Sequence, residues 1–206
     1  MKRQVGMVLV LGCVASSPVF GQQTGTERGV PITVVLYDRA NVKPESLAAA
    51  KQVLIHIMNT AGIAVRCIDP LVQTELPPNG YLSVVIVPAA YPNADRNEAG
   101  FAAVTTGPYP RAYVFLDRVK TYSDTVNPRY KSTVGIVLGH VIVHELGHLL
   151  MPDKVHTLSG IMRANWDSTQ WDEAAAGLLL FNDQQAEIMR NQMRGYCSAP
   201  CFREPC

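Results

Sequence analysis

His144-Glu145-Leu146-Gly147-His148 sets two imidazoles and a carboxylate at a spacing that can hold and use a metal ion. On a helix of 3.6 residues per turn, His144 and His148 stand one above the other on one face, at about the separation two imidazoles need to share one Zn²⁺. Glu145, beside the first histidine, then reaches a water molecule at the metal and can act as its base. Three specified residues at this spacing arise by chance in about one in a hundred chains of this length, so the residues that follow decide the reading.

For that chemistry the run from Ser132 or Thr133 to Met151 must be a helix, capped by one of those hydroxyls and stopped before Pro152. Val134, Ile136, Val137, Val141, Ile142 and Val143 are β-branched, and Gly135, Gly139 and Gly147 interrupt, so local propensity favours a buried strand pair. The run is too long for one strand, and tertiary burial overrides propensity; a helix apolar on all sides belongs in the middle of a domain. His140, His144, Glu145 and His148 in its centre argue against a membrane span. His140, one turn before the pentad, is read as donating to a nearby carbonyl or packing on a sheet, and His56 as a partly buried structural histidine.

Before this helix the chain predicts β-α-β-β-β order: strands over Pro31–Ala40, Ile63–Asp69, Tyr81–Ala89 and Arg111–Val119, and a short edge strand over Phe101–Thr106. The helix is Pro44–Ala61, with Leu47, Ala50, Val53, Leu54, Ile57 and Met58 at helical spacing and Gly62 after it. Tyr81–Ala89 is almost all apolar, so it is placed centrally and covered on both faces. Thr121–Lys131 reads as a loop. A second amphipathic helix starts near Asp167 or Ser168 and runs to about Met193 as a C-terminal cover.

The chain has 206 residues, enough for one domain with a full core. With 17% charged and 48% hydrophobic residues it is a globular composition, and its formal charge of +1 suggests neither nucleic acid nor anionic lipid as a partner. Lys2 and Arg3, the apolar stretch Val5–Ala15 and Val19-Phe20-Gly21 predict a signal peptide over residues 1–21 and a single catalytic domain over 22–206, secreted or periplasmic. Val10-Leu11-Gly12-Cys13 loosely resembles a lipobox, so anchoring through an acylated Cys13 is the alternative. Cys67, Cys197, Cys201 and Cys206 then make an even count in an oxidising compartment and predict two disulfides, one reaching from the C-terminal three to Cys67. The protein is expected to be a monomer.

From His144 to Met162 the chain resembles the metzincin clan of zinc metalloproteases: the pentad, a downstream histidine at His156, and Ser159-Gly160-Ile161-Met162, which looks like that clan's Met-turn. The resemblance implies an α+β, zincin-like fold: a mixed twisted sheet of about four to five strands packed on two helices, one carrying the pentad, with a small, mainly helical C-terminal part. It also implies Zn²⁺ as cofactor, a peptide or protein substrate, His156 as third ligand and Glu145 as general base. The clan's glycine and third histidine fall here on Met151 and Lys154, and His156 lies two residues later. A longer connection through Pro152-Asp153 makes the turn without that glycine. No assisting tyrosine is implied, since its place is Ala164.

Glu173 is the rival third ligand, because another zinc-protease class takes a glutamate from a following helix, and Asp153 comes after it. Arg163 and Trp166 are candidates to line the cleft, or to form a surface Arg-Asp pair and a packed indole. Two functional classes stand: a secreted zinc endopeptidase whose edge strand, around Phe101–Thr106 or Arg111–Leu116, pairs with an extended peptide, and a catalytically silent zinc-stabilised binding domain. Glu145 favours the first, since a structural site has no use for a base.

Overall fold

The computed structural model describes residues 31–198, apart from 74, 77–79, 104–109, 127, 130–133 and 152–155, and the side chains as far as residue 194. The expected signal peptide, Cys13, Asp153, the Ser132 or Thr133 cap and the side chains of Cys197, Cys201 and Cys206 lie outside the described residues.

Strands β1 (Ile32–Asp38), β2 (Val65–Ile68), β3 (Leu82–Val87), β4 (Gly100–Ala103) and β5 (Arg111–Phe115) form one sheet in the order β2-β1-β3-β5-β4. All pairings are parallel except β4 with β5. This is a mixed α/β arrangement, with five helices among the described residues: α1 (Pro44–Thr60), α2 (Leu116–Thr125), α3 (Val134–Leu150), α4 (Ser168–Ala175) and α5 (Asp183–Ser198).

Alternation of side chains along each strand sorts the sheet into two faces. Val34, Leu36, Val84, Ile86, Ala102, Ala112 and Val114 point to the face that joins the main core, with α1 and α3. Helix α3 is buried along nearly its whole length, as an all-round apolar helix must be. The glycines that weaken its local propensity are where α1 crosses it. A β-carbon on Gly135 would stand 2.3 Å from the Ser46 carbonyl oxygen, and one on Gly139 2.6 Å from Val53 Cβ. Burial against α1 thus decides between helix and strand.

Three expectations of the fold need correction. Strand β3 is central, but Val85 and Val87 on its second face are only half-buried, and with Tyr37, Tyr91 and Tyr113 they line an open concavity. The stretch read as strand to Val119 and then loop turns into α2 at Leu116: Asp117 donates its backbone N–H to the Pro88 carbonyl and accepts from the Ala90 N–H on its carboxylate, fixing the turn by contacts distant in sequence. The single C-terminal helix is two. Gly177, at φ 75°, ends α4, with Leu178 N–H on the Glu173 carbonyl and Gly177 N–H on that of Ala174, the left-handed cap that only glycine adopts without strain. The partners expected for Cys67, among Cys197, Cys201 and Cys206, have side chains outside the described residues; among the described residues Cys67 carries a free thiol that packs on the core near Lys51 of α1, and burial pushes it up to about 11.

Candidate metal centre

Helix α3 delivers His144 and His148 from successive turns, ring centroids 4.8 Å apart, and His156 comes to meet them from the segment after the helix. The Nε2 atoms of His144 and His148 are 3.2 Å apart, those of His148 and His156 3.1 Å, and all three lie within 4.8 Å of one another. His144 Nδ1 donates to the Ile161 carbonyl at 2.7 Å, which leaves Nε2 of the neutral ring as an acceptor turned towards its neighbours. Burial pushes the His144 imidazole down to about 4 and lowers that of His156 as well, with Glu98 acting in the opposite direction on His156.

Neutral rings are what a divalent metal requires. A proton on His148 Nε2 serves one of its two neighbours; one cation serves all three nitrogens. Four ligands at 2.0–2.1 Å around zinc stand about 3.3 Å from each other along a tetrahedral edge, close to the His144–His148 and His148–His156 separations. Among the described residues, the three donors and their spacing fit Zn²⁺.

Glu145 is almost wholly buried and lines the same cleft, a cavity of about 300 Å³ edged by β4. A β-carbon on Gly100 would stand 2.9 Å from Glu145 Oε1, so the carboxylate lies directly against the edge strand. Below the helix, Met162 is fully buried against Gly147. The turn that carries it closes with Arg163 N–H on the Gly160 carbonyl and needs Gly160 at φ 73°. Trp166 lines the cleft, crosses the His144 ring edge-on with centroids 5.5 Å apart, and donates its indole N–H to the same Ile161 carbonyl at 3.1 Å.

Sequence comparison finds no matching family model and no matching curated protein. A solved structure, archaemetzincin from Methanopyrus kandleri, matches with a TM-score of 0.50 over 81% of this chain and 98% of that one, at 15% sequence identity. The fold is archaemetzincin-like. At that identity the likeness is one of fold alone.

Within the archaemetzincin-like fold, the other predicted residues fall as follows. Glu173 sits half-buried on α4, outside the convergent group. His140 donates from Nδ1 to the Ile136 carbonyl at 2.8 Å, as expected. His56 is exposed rather than partly buried, because it lies on the side of α1 opposite Leu54, Ile57 and Met58. Arg163 makes the surface pair, 3.1 Å from Asp167, which also accepts from Thr169 N–H to cap α4. Sequence reasoning missed Gly100, the Ile161 carbonyl, and Asn182 with Gln185 on α5; of these only Asn-x-x-Gln, a helix-start pattern, left a readable signal.

Proposed function

We propose that the protein is a zinc-dependent metallopeptidase hydrolysing peptide bonds, with His144, His148 and His156 as ligands and Glu145 as general base. The observation that carries this reading is the convergence of three imidazole nitrogens on one point beside a buried carboxylate in an open cleft. Zn²⁺ held by these three histidines would supply Lewis-acid polarisation of a peptide carbonyl and would lower the pKa of an attacking water. Glu145 takes a proton from that water and passes one to the departing amine. His144 is held in the metal-binding tautomer by the Ile161 carbonyl, an outer contact of the kind that tunes such ligands.

Strand β4 supports a peptide as substrate. Among the described residues it is the sheet edge at the cleft, with Gly100, Phe101 and Ala102 lining it, whereas β5 is paired on both sides. An extended peptide adding to β4 brings its backbone alongside Glu145. Export by residues 1–21 belongs to the same proposal, supported by Lys2, Arg3 and the apolar stretch after them.

The test is digestion of a peptide library by the zinc-loaded protein and by its Glu145→Ala variant. Cleavage by the first, with a rate loss of about 10²–10⁴ in the second and zinc still bound, is expected if Glu145 is the base. Zinc uptake without cleavage in the unaltered protein selects the silent binding domain instead.

A further inference from the structure

Of the three converging histidines, only His156 stands outside a helix, next to a segment that must be fixed by something else. We infer that Gln185 of α5 is the positioning residue for this third ligand, acting through Thr157. The inference rests on the reading of His144, His148 and His156 as a metal site, and is independent of whether peptides are cleaved.

Gln185 has no exposed surface, and every polar atom of its side chain is engaged. Its Oε1 accepts the Asn182 N–H at 3.0 Å while Asn182 Oδ1 accepts the Gln185 N–H at 2.9 Å, a reciprocal cap at the start of α5. That pair fixes which way the amide faces. The Nε2 end therefore turns to the loop after His156 and donates to Thr157 Oγ1 at 2.6 Å and to the Ser159 carbonyl at 2.8 Å.

The loop is tied at several further points. Thr157 Oγ1 donates on to the Ser159 carbonyl at 2.8 Å, and Thr157 N–H reaches the Met162 carbonyl at 2.9 Å. Ile161 N–H is held by the Leu180 carbonyl at 2.9 Å, so the carbonyl that orients His144 belongs to the same clamped unit. Gly160 makes room for it, since a β-carbon there would stand 2.8 Å from Gln185 Oε1. One buried amide thus sets the residue beside His156 and steadies the loop that aims His144.

Glutamine is the residue this position requires. Glutamate caps a helix equally well at this place, but its second oxygen would face the Ser159 carbonyl with no proton to give. Gln185→Glu therefore keeps the cap and removes the clamp. Partners bonded directly to a ligand are worth about 10–100-fold in metal affinity, and Gln185, acting through the residue beside His156, is placed at the low end of that range.

The experiment is a chelator-competition titration with Zn²⁺ on the whole chain, alongside thermal melts of the metal-free protein. Gln185→Glu and Thr157→Val are each expected to raise the zinc Kd about tenfold or more, with the double variant well short of the product. Thr157→Ser, which retains the hydroxyl, is expected to recover affinity relative to Thr157→Val. Should Gln185→Glu fail to fold, Thr157→Val carries the test alone. A zinc Kd within about twofold of the unaltered protein, with only the metal-free Tm lowered, would overturn the inference and leave Gln185 a packing residue. An unaltered protein that takes up no zinc would overturn the metal site and the inference with it, whereas a protein that binds zinc, shows these shifts and cleaves nothing loses only the peptidase reading.

Discussion

Met162 occupies the space that a side chain on Gly147 would need: a β-carbon there would lie 2.3 Å from the methionine sulfur. Gly147 is the fourth residue of the pentad, so the turn beneath the site and the helix above it touch between the two helical histidines. Alanine at this position gains about 1 kcal/mol of helix propensity and meets an overpacking cost of about 1–3 kcal/mol. Met162 is fully buried and the Phe181 ring would stand 3.2 Å from the same β-carbon, so the thioether must repack among buried neighbours and the second effect is expected to win. Gly147→Ala is expected to lower the Tm of the metal-free protein, measured by calorimetry; an unchanged or raised Tm contradicts the packing.

Gly100 stands in a similar relation to Glu145. A β-carbon on Gly100 would meet the Tyr113 carbonyl oxygen at 2.5 Å and Glu145 Oε1 at 2.9 Å. The first is sheet backbone and gives little, so the carboxylate is pushed off its position. A misplacement on the order of 1 Å costs about 10²-fold in rate. Gly100→Ala is expected to lose kcat by about that factor with zinc content unchanged, read by steady-state kinetics and metal analysis. A wild-type kcat would show that Glu145 is not held by β4.

How far the sequence foretold this site depends on how local the cause of each feature is. His144, Glu145 and His148 were readable because helical spacing alone aligns them. His156 was readable by type, and Ser159 to Met162 by pattern. The helix itself was readable only against its own propensity, and its glycines looked like interruptions until Ser46 and Val53 of α1 showed what they admit. Helix α2 was not readable, since the residues up to Phe115 are strand formers and the turn into Leu116 is set by Pro88 and Ala90. The break at Gly177 was missed because apolar spacing continues across it.

His140 gives the fold an acid sensitivity. Its Nε2 is buried without a hydrogen-bond partner among the described residues, and burial pushes the ring down to about 4 from 6.5, with His56 of α1 adding to the effect. Between those values the unfolded chain binds a proton that the folded one refuses. The stability is therefore complete above about pH 6.5 and declines as pH falls towards 4, by on the order of 3 kcal/mol from this residue. Denaturant unfolding of metal-free protein at pH 7.5 and 5 is expected to show a smaller decline for His140→Leu than for the unaltered chain. Equal declines would mean that His140 is not buried as described.

The central claim is that His156 completes a three-histidine zinc site, and zinc stoichiometry by mass spectrometry in purified His156→Ala and Glu173→Ala variants tests it most directly. His156 Nε2 is 3.1 Å from that of His148, while Glu173 lies outside the convergent group. One zinc per chain is expected in the unaltered protein and in Glu173→Ala, with zinc lost from His156→Ala, because two imidazoles leave the metal under-coordinated. Zinc retained in the His156 variant and lost from the Glu173 variant would contradict the account and put a glutamate-liganded site in its place.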